Sequence, residues 1–179
     1  FQINRFQKLF IEQERWSGNP SSNQIRGCIE ITGKIDEEKF INAVETVLET
    51  NRVFRLFFLE EKECWLEGKL NGSFCKGIDC NDPENPFEVS LGTFLWSVGY
   101  INTGKVKRLS IVFHHALFDG YSLNNFWLEI CRAFDEKCYV PHILNFLDKE
   151  KEKVPGWVAE MDKIKSSGYR GKTIRVSIN

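Results

Sequence analysis

The stretch that decides the fold is Arg108-Leu109-Ser110-Ile111-Val112-Phe113-His114-His115-Ala116-Leu117-Phe118-Asp119-Gly120-Tyr121-Ser122. Its apolar first half predicts a buried strand over 106–115. Ser122 then caps a helix that carries Leu123, Phe126, Trp127, Ile130 and Phe134 on one face. Two of the chain's three histidines stand at the junction. Strand-to-helix turns of this kind present functional side chains from a rigid base.

Alternation sorts the two imidazoles. His115 shares a strand face with Leu109, Ile111 and Phe113, and His114 shares the other with Ser110 and Val112. One ring can then face a cleft while the other is held by packing. Burial disfavours the charged imidazole, so such a ring serves as a base at neutral pH. Asp119 pairs with a cation or caps the next helix. Gly120 lets the backbone turn sharply or lets a ligand come close. The plain alternative is two core histidines beside two ordinary helix caps. Against it, four residues are set in a seven-residue window, an arrangement this composition yields by chance in roughly 10⁻⁴ of chains. A zinc site fits poorly: adjacent strand histidines point apart, and His142 is the only other one. A Ser/His/Asp triad lacks a G-x-S-x-G elbow.

Outward from this segment the chain alternates helices and hairpins. Asn4 caps a first helix over 4–15 with Phe6, Leu9 and Phe10. A strand runs over 25–32 and stops at Gly33. Asp36 caps a helix whose stripe is Phe40, Ile41, Val44, Val47 and Leu48. Strands over 53–59 and 64–66 form a hairpin. Residues 68–92, rich in Gly, Asn, Asp and Pro, read as an irregular loop. A strand over 94–102 joins 106–115 through Thr103-Gly104. The run 148–153 reads as a solvated helix face. A last helix follows Pro155-Gly156, then a strand with Ile174, Val176 and Ile178 alternating. The fold class is α/β (α+β), a two-layer sandwich of a mixed, largely antiparallel sheet with helices on one face.

Composition narrows the function classes. The chain has 179 residues, 42% of them hydrophobic, with 24 basic against 25 acidic side chains and a net charge of −1. It is too apolar for a disordered segment. It lacks the basic excess of a nucleic-acid binder. No apolar run reaches the roughly 18 residues that cross a membrane. At this length one core can bury roughly 70% of the unfolded surface. The cysteines, Cys28, Cys64, Cys75, Cys80, Cys131 and Cys138, form no CxxC pair. They read as reduced thiols of a cytoplasmic protein. The chain opens at Phe1 with no leader pattern, which points to a processed chain or a piece of a longer one.

His114-His115-Ala116-Leu117-Phe118-Asp119-Gly120 matches the HHxxxDG motif of the condensation-domain superfamily, whose members share the chloramphenicol-acetyltransferase-like acyltransferase fold. Val53-Phe54-Arg55 resembles the family's V-L-R. Asn4-Arg5-Phe6-Gln7 resembles its S-x-x-Q, with Asn4 in place of Ser. The segment order is similar to that of the amino-terminal lobe of a nonribosomal peptide synthetase condensation domain. On that likeness, 1–165 is the lobe and 166–179 a crossover toward a missing carboxy-terminal lobe.

The resemblance implies that His115 faces a tunnel between two lobes. There it deprotonates or orients an attacking amine, or stabilises the tetrahedral intermediate. His114 is structural. Asp119 fixes the motif by pairing with a buried arginine, for which Arg55 is the candidate. Gly120 keeps the channel open. Donor and acceptor arrive as thioesters on the phosphopantetheine arms of carrier proteins, and the product is an amide. No cofactor is held by the chain itself. The partners are carrier proteins, the second lobe and neighbouring synthetase domains, with neither nucleic acid nor membrane. A lone lobe offers one wall of a tunnel and leaves an apolar face uncovered. Two alternatives remain. One is a free-standing acyl-CoA-dependent O- or N-acyltransferase with its site shared between subunits, although its motif lies nearer the carboxyl end. The other is a non-catalytic docking module for carrier proteins.

Overall fold

The computed structural model describes residues 1–70, 74–76, 89, 91–135, 139–141 and 173–177. For 20–21, 74–76 and 173–177 it describes the backbone only. The elements are α1 (Arg5–Ser17), β1 (Gln24–Thr32), α2 (Glu37–Thr50), β2 (Leu56–Leu59), β3 (Cys64–Glu67), β4 (Phe74–Lys76), β5 (Trp96–Asn102), β6 (Lys107–His114), α3 (Gly120–Asp135) and β7 (Thr173–Ser177).

Local chemistry sets the helix ends. Asn4 Oδ1 accepts from the Gln7 N–H at 2.9 Å, and Gln7 Oε1 accepts from the Asn4 N–H at 3.0 Å, a reciprocal capping box. Gly18 ends α1 in the left-handed region at φ 61°, where a side chain would be strained. Asp36 caps α2 through the Lys39 N–H, and Glu37 and Glu38 sit on the positive end of its dipole.

The main sheet has the order β4-β5-β6-β1-β7. Its centre is antiparallel, with β6 between β5 and β1, and the outer pairs β4–β5 and β1–β7 are parallel. The fold class is thus the mixed sheet with helices that the alternation predicts. Along β6, Leu109, Ile111 and Phe113 enter the main core, while Val112 on the other face meets Val89. Helices α2 and α3 contribute Phe40, Val44, Val47, Leu48, Phe126 and Ile130 to that core. Helix α1 joins the separate β2–β3 hairpin: Gln7 Oε1 also accepts from the buried Trp65 indole at 3.0 Å, and Arg15 reaches Glu60 and Glu63.

Three sequence readings change. Val53-Phe54-Arg55 is not strand but part of a 3₁₀ turn over Arg52–Arg55 that closes α2 onto β2. The turn buries Val53 and Phe54 together, which neighbouring residues of a strand with one core face cannot achieve. The 68–92 segment holds the short strand β4, paired to β5. Ser122 is the third helical residue of α3, not its cap, because the helix begins at Gly120. The proposed charged helix face at 148–153, the helix after Gly156, and His142 lie outside the described residues. Cys28, Cys64 and Cys131 are in no disulfide, and Cys28 Sγ accepts from the Ser110 hydroxyl at 3.8 Å. The side chain of Cys75, and Cys80 and Cys138, are outside the description. No described helix is long and apolar enough to cross a membrane.

Phe54 is the hub of the core. Its ring meets Trp96 at 5.6 Å, Phe113 at 6.0 Å, Phe118 at 5.5 Å and Phe126 at 5.6 Å between centroids. It therefore joins the α2–β2 turn to β5, β6, α3 and the motif segment. Phe54→Ala should cost about 3–5 kcal/mol. Urea unfolding checks this: the midpoint should drop with little change in slope, and an unchanged midpoint would refute the hub role.

Candidate functional site

Strand β6 ends at His114, and residues 115–117 form a turn before α3. Backbone bonds close it: Leu117 and Phe118 N–H both donate to the His114 carbonyl at 3.1 Å, and the His115 N–H donates to the Asn23 carbonyl at 2.8 Å. Phe118 stacks on Phe113 at 4.1 Å between centroids, folding the motif back on its own strand.

His114 is fully buried. Its Nδ1 accepts from the Ala116 N–H at 3.0 Å. Its Nε2 lies 2.5 Å from Glu14 Oε2. Nδ1 faces a donor and Nε2 faces an acceptor, so the hydrogen-bond network assigns the ring proton to Nε2. Burial pushes the imidazole below the ordinary histidine value, against the opposing pull of Glu14.

His115 is half-buried and stacks on the Phe10 ring at 5.0 Å and 13°. Burial also lowers its pKa, His114 next door adds to this, and Asp119 and the Phe118 backbone oppose it. The charged form of the ring is accordingly disfavoured. Alternation extended to His115 assigns the two rings to opposite faces. In the structure both meet α1, through Phe10 and Glu14, which lie one helical turn apart. The strand stops before His115, so the alternation no longer governs it.

Asp119 is the N-cap of α3. Its Oδ1 accepts from the Ser122 N–H and from the Ser122 hydroxyl, each at 2.7 Å, and the Asp119 N–H donates to Ser122 Oγ at 3.2 Å. The expected pairing of Asp119 with Arg55 is not found. Arg55 is bound on β3's side of the molecule, donating from Nη2 to Glu67 Oε1 at 2.7 Å and from Nη1 to the Glu49 carbonyl at 2.5 Å. Its hydrogen bonds hold the Glu67 carboxyl below the usual range. The 3₁₀ turn explains the difference, since it sends Phe54 into the core and leaves Arg55 beside Glu67. Gly120 is not in the left-handed region, and a Cβ there would meet nothing within 4 Å. The backbone does not require glycine at this position; the space beside it is open.

The residue that sequence reasoning missed is Glu14. Its Oε1 accepts from the Leu91 N–H at 3.1 Å while Oε2 binds His114. Only the structure shows its setting: Gln7, Ile11 and Glu14 form the buried stripe of α1, whereas the apolar spacing in the sequence runs through Phe6, Leu9 and Phe10. A carboxylate on a buried stripe calls for a partner. On the opposite side of α1, Phe6, Leu9 and Trp16 are exposed, and Trp16 stands 91% open to solvent. With Phe10, Glu12 and Gln13 they line a groove of about 510 Å³. Among the described residues no three His, Cys, Asp or Glu side chains are grouped to hold a metal.

No protein-family profile matches the sequence, and no curated protein does. Solved structures do. The starter condensation domain of the rhizomide synthetase RzmA superposes with a TM-score of 0.63 at 13% identity, over 75% of this chain and 37% of that one. VibH, a nonribosomal peptide synthetase condensation enzyme, gives 0.61 at 14% identity, over 74% and 34%. The X-domain from teicoplanin biosynthesis gives 0.58 at 12%, over 74% and 32%. This chain has the fold of a condensation-domain lobe and spans about a third of the length of the structures it matches.

Two predictions concern stability. Asp119→Ala removes a cap and should cost about 0.5–2 kcal/mol. A thermal-melt loss well beyond that range would show that Asp119 does more than cap α3. The pH response follows from the histidines. Both rings bind protons less readily when folded than at the unfolded value of about 6.5, so the unfolded state gains protons first on acidification. The melting temperature should be flat above pH 7 and fall below about 6.5, and His115→Gln should flatten part of that fall. The Glu67 contribution appears only in the carboxylate range below, from about 4.5 downward. A melting temperature that rises between pH 6.5 and 5.5 would contradict the assignment.

Proposed function

We propose that this chain is one lobe of a condensation-type acyltransferase that forms an amide between a carrier-bound acyl thioester and an acceptor amine. The observation that carries the reading is the His115 ring: half-buried, stacked on Phe10, and mounted on a turn fixed at both ends. Its fold neighbours are condensation domains, which supports the reaction class. The second lobe would supply the other wall of the tunnel, and carrier proteins would deliver both substrates on phosphopantetheine arms.

The chemistry suits the residues. The amine nitrogen attacks the thioester carbonyl, a C–N bond forms, and the C–S bond breaks as the tetrahedral intermediate collapses. The amine proton passes to the neutral His115 ring, which returns it to the departing thiolate. A thioester is already activated, so positioning and one base suffice, the base contributing roughly 10²–10⁴-fold. Asp119 holds the start of α3, and the open space at Gly120 admits the substrate arm. Arg55 has no part in this centre. Its bonds to Glu67 and Glu49 make it a support for the hairpin.

The test is amide formation from acyl- and aminoacyl-carrier proteins by the protein that joins this chain to its second lobe, wild type against His115→Ala. Turnover should fall at least roughly 10²-fold with the fold retained. Wild-type turnover should also decline on the acid side as His115 takes up a proton. Unchanged turnover in His115→Ala would overturn the reading and leave a docking module for carrier proteins.

A further inference from the structure

We infer that Glu14 is a positioning residue for His115, acting through His114, an inference that rests on the function proposed above. Glu14 is buried, and it is tied at both oxygens: the Leu91 N–H on Oε1 and His114 Nε2 on Oε2. Both partners are donors, so the group must offer two acceptors. A carboxylate places an acceptor atom at each position, whereas a neutral amide places one acceptor atom and one donor. The proton it holds on His114 Nε2 leaves Nδ1 free to accept the Ala116 N–H. That N–H belongs to the residue directly after His115. The chain of contacts therefore runs from α1, through an imidazole of one tautomer, to the backbone that carries His115. Phe10, one turn before Glu14 on α1, supports the His115 ring itself. One helix thus sets both the backbone and the ring plane of the proposed base.

Loss of the carboxylate removes one of the two acceptor atoms that hold this network. In Glu14→Gln the amide oxygen can take only one of the two N–H groups. If the amide NH₂ turns to His114, it forces Nε2 to accept, and the ring proton moves to Nδ1. There it meets the Ala116 N–H, donor against donor, and the turn must shift. A displacement of about 1 Å at a reacting group costs roughly 10²-fold in rate.

The experiment has two arms. Long-range ¹H–¹⁵N correlation spectra of this chain report which His114 nitrogen carries the proton. Wild type should show Nε2–H at pH 7, and Glu14→Gln should lose that form. Steady-state amide formation by the two-lobed protein gives the second readout: for Glu14→Gln, kcat should fall roughly 10²-fold with KM within about twofold. Glu14→Asp, which keeps two acceptors, should keep the tautomer and recover most of kcat. The inference is overturned if kcat is unchanged after the tautomer has changed, or if kcat falls with the tautomer intact. Should Glu14→Gln fail to fold, the wild-type spectrum and the Glu14→Asp kinetics decide: a proton on Nδ1, or a lost tautomer with full kcat, refutes it. Failure of the function itself reads differently, because His115→Ala would then be as active as wild type whatever the His114 spectrum shows.

Discussion

A buried hydrogen bond between the first helix and the end of a central strand organises this molecule. Glu14 and His114 are both withdrawn from water, and each is left with no unused polar atom facing an apolar wall. Such an arrangement is costly unless every member is satisfied, and a buried polar network that is fully satisfied specifies one geometry. Here the geometry specified is that of a turn. The strand must stop at His114 because its ring turns back to Ala116, and α3 must start at Gly120 because Asp119 and Ser122 close its first turn. Four residues of backbone are thereby held between two locked ends.

Packing makes the same turn stiff from below. Phe118 lies flat on Phe113, and both lie against Phe54. The aromatic cluster links the turn to the α2–β2 connection and to α3, so the turn cannot move as an independent loop. Close-packed interiors resist small displacements. The single ring of the motif that is not fully enclosed is His115, supported on one side by Phe10. A rigid mount with one partly exposed imidazole is what the acyl transfer proposed above would require of this wall.

Much of this was legible in the residues. Caps at Asn4 and Asp36 depend on local bonds, and local bonds follow from neighbours in sequence. The β5–β6 hairpin and the α3 stripe follow from period and turn chemistry. The motif residues could be singled out because two histidines, an aspartate and a glycine rarely fall together. What could not be read were partnerships decided by distant parts of the chain. Arg55 follows two buried apolar residues, and only the turn direction determines that it meets Glu67 and not Asp119. Glu14 sits among Glu12, Gln13 and Arg15 and looks like one more surface charge until α1 is seen to present it inward. Its role depends on a contact spanning 100 residues, and no local pattern carries that.

That span has a meaning for how the site comes into being. Contacts distant in sequence close late, because the loop entropy must be met before the contact repays it. Helix α1 is synthesised well before β6, and its inward carboxylate then waits, in water, until β6 has been made and has found β1 and β5. The histidine turn is consequently among the last features of the lobe to acquire its shape. A chain halted short of β6 would hold a capped first helix and no trace of the site, so the proposed chemistry is gated by completion of the sheet.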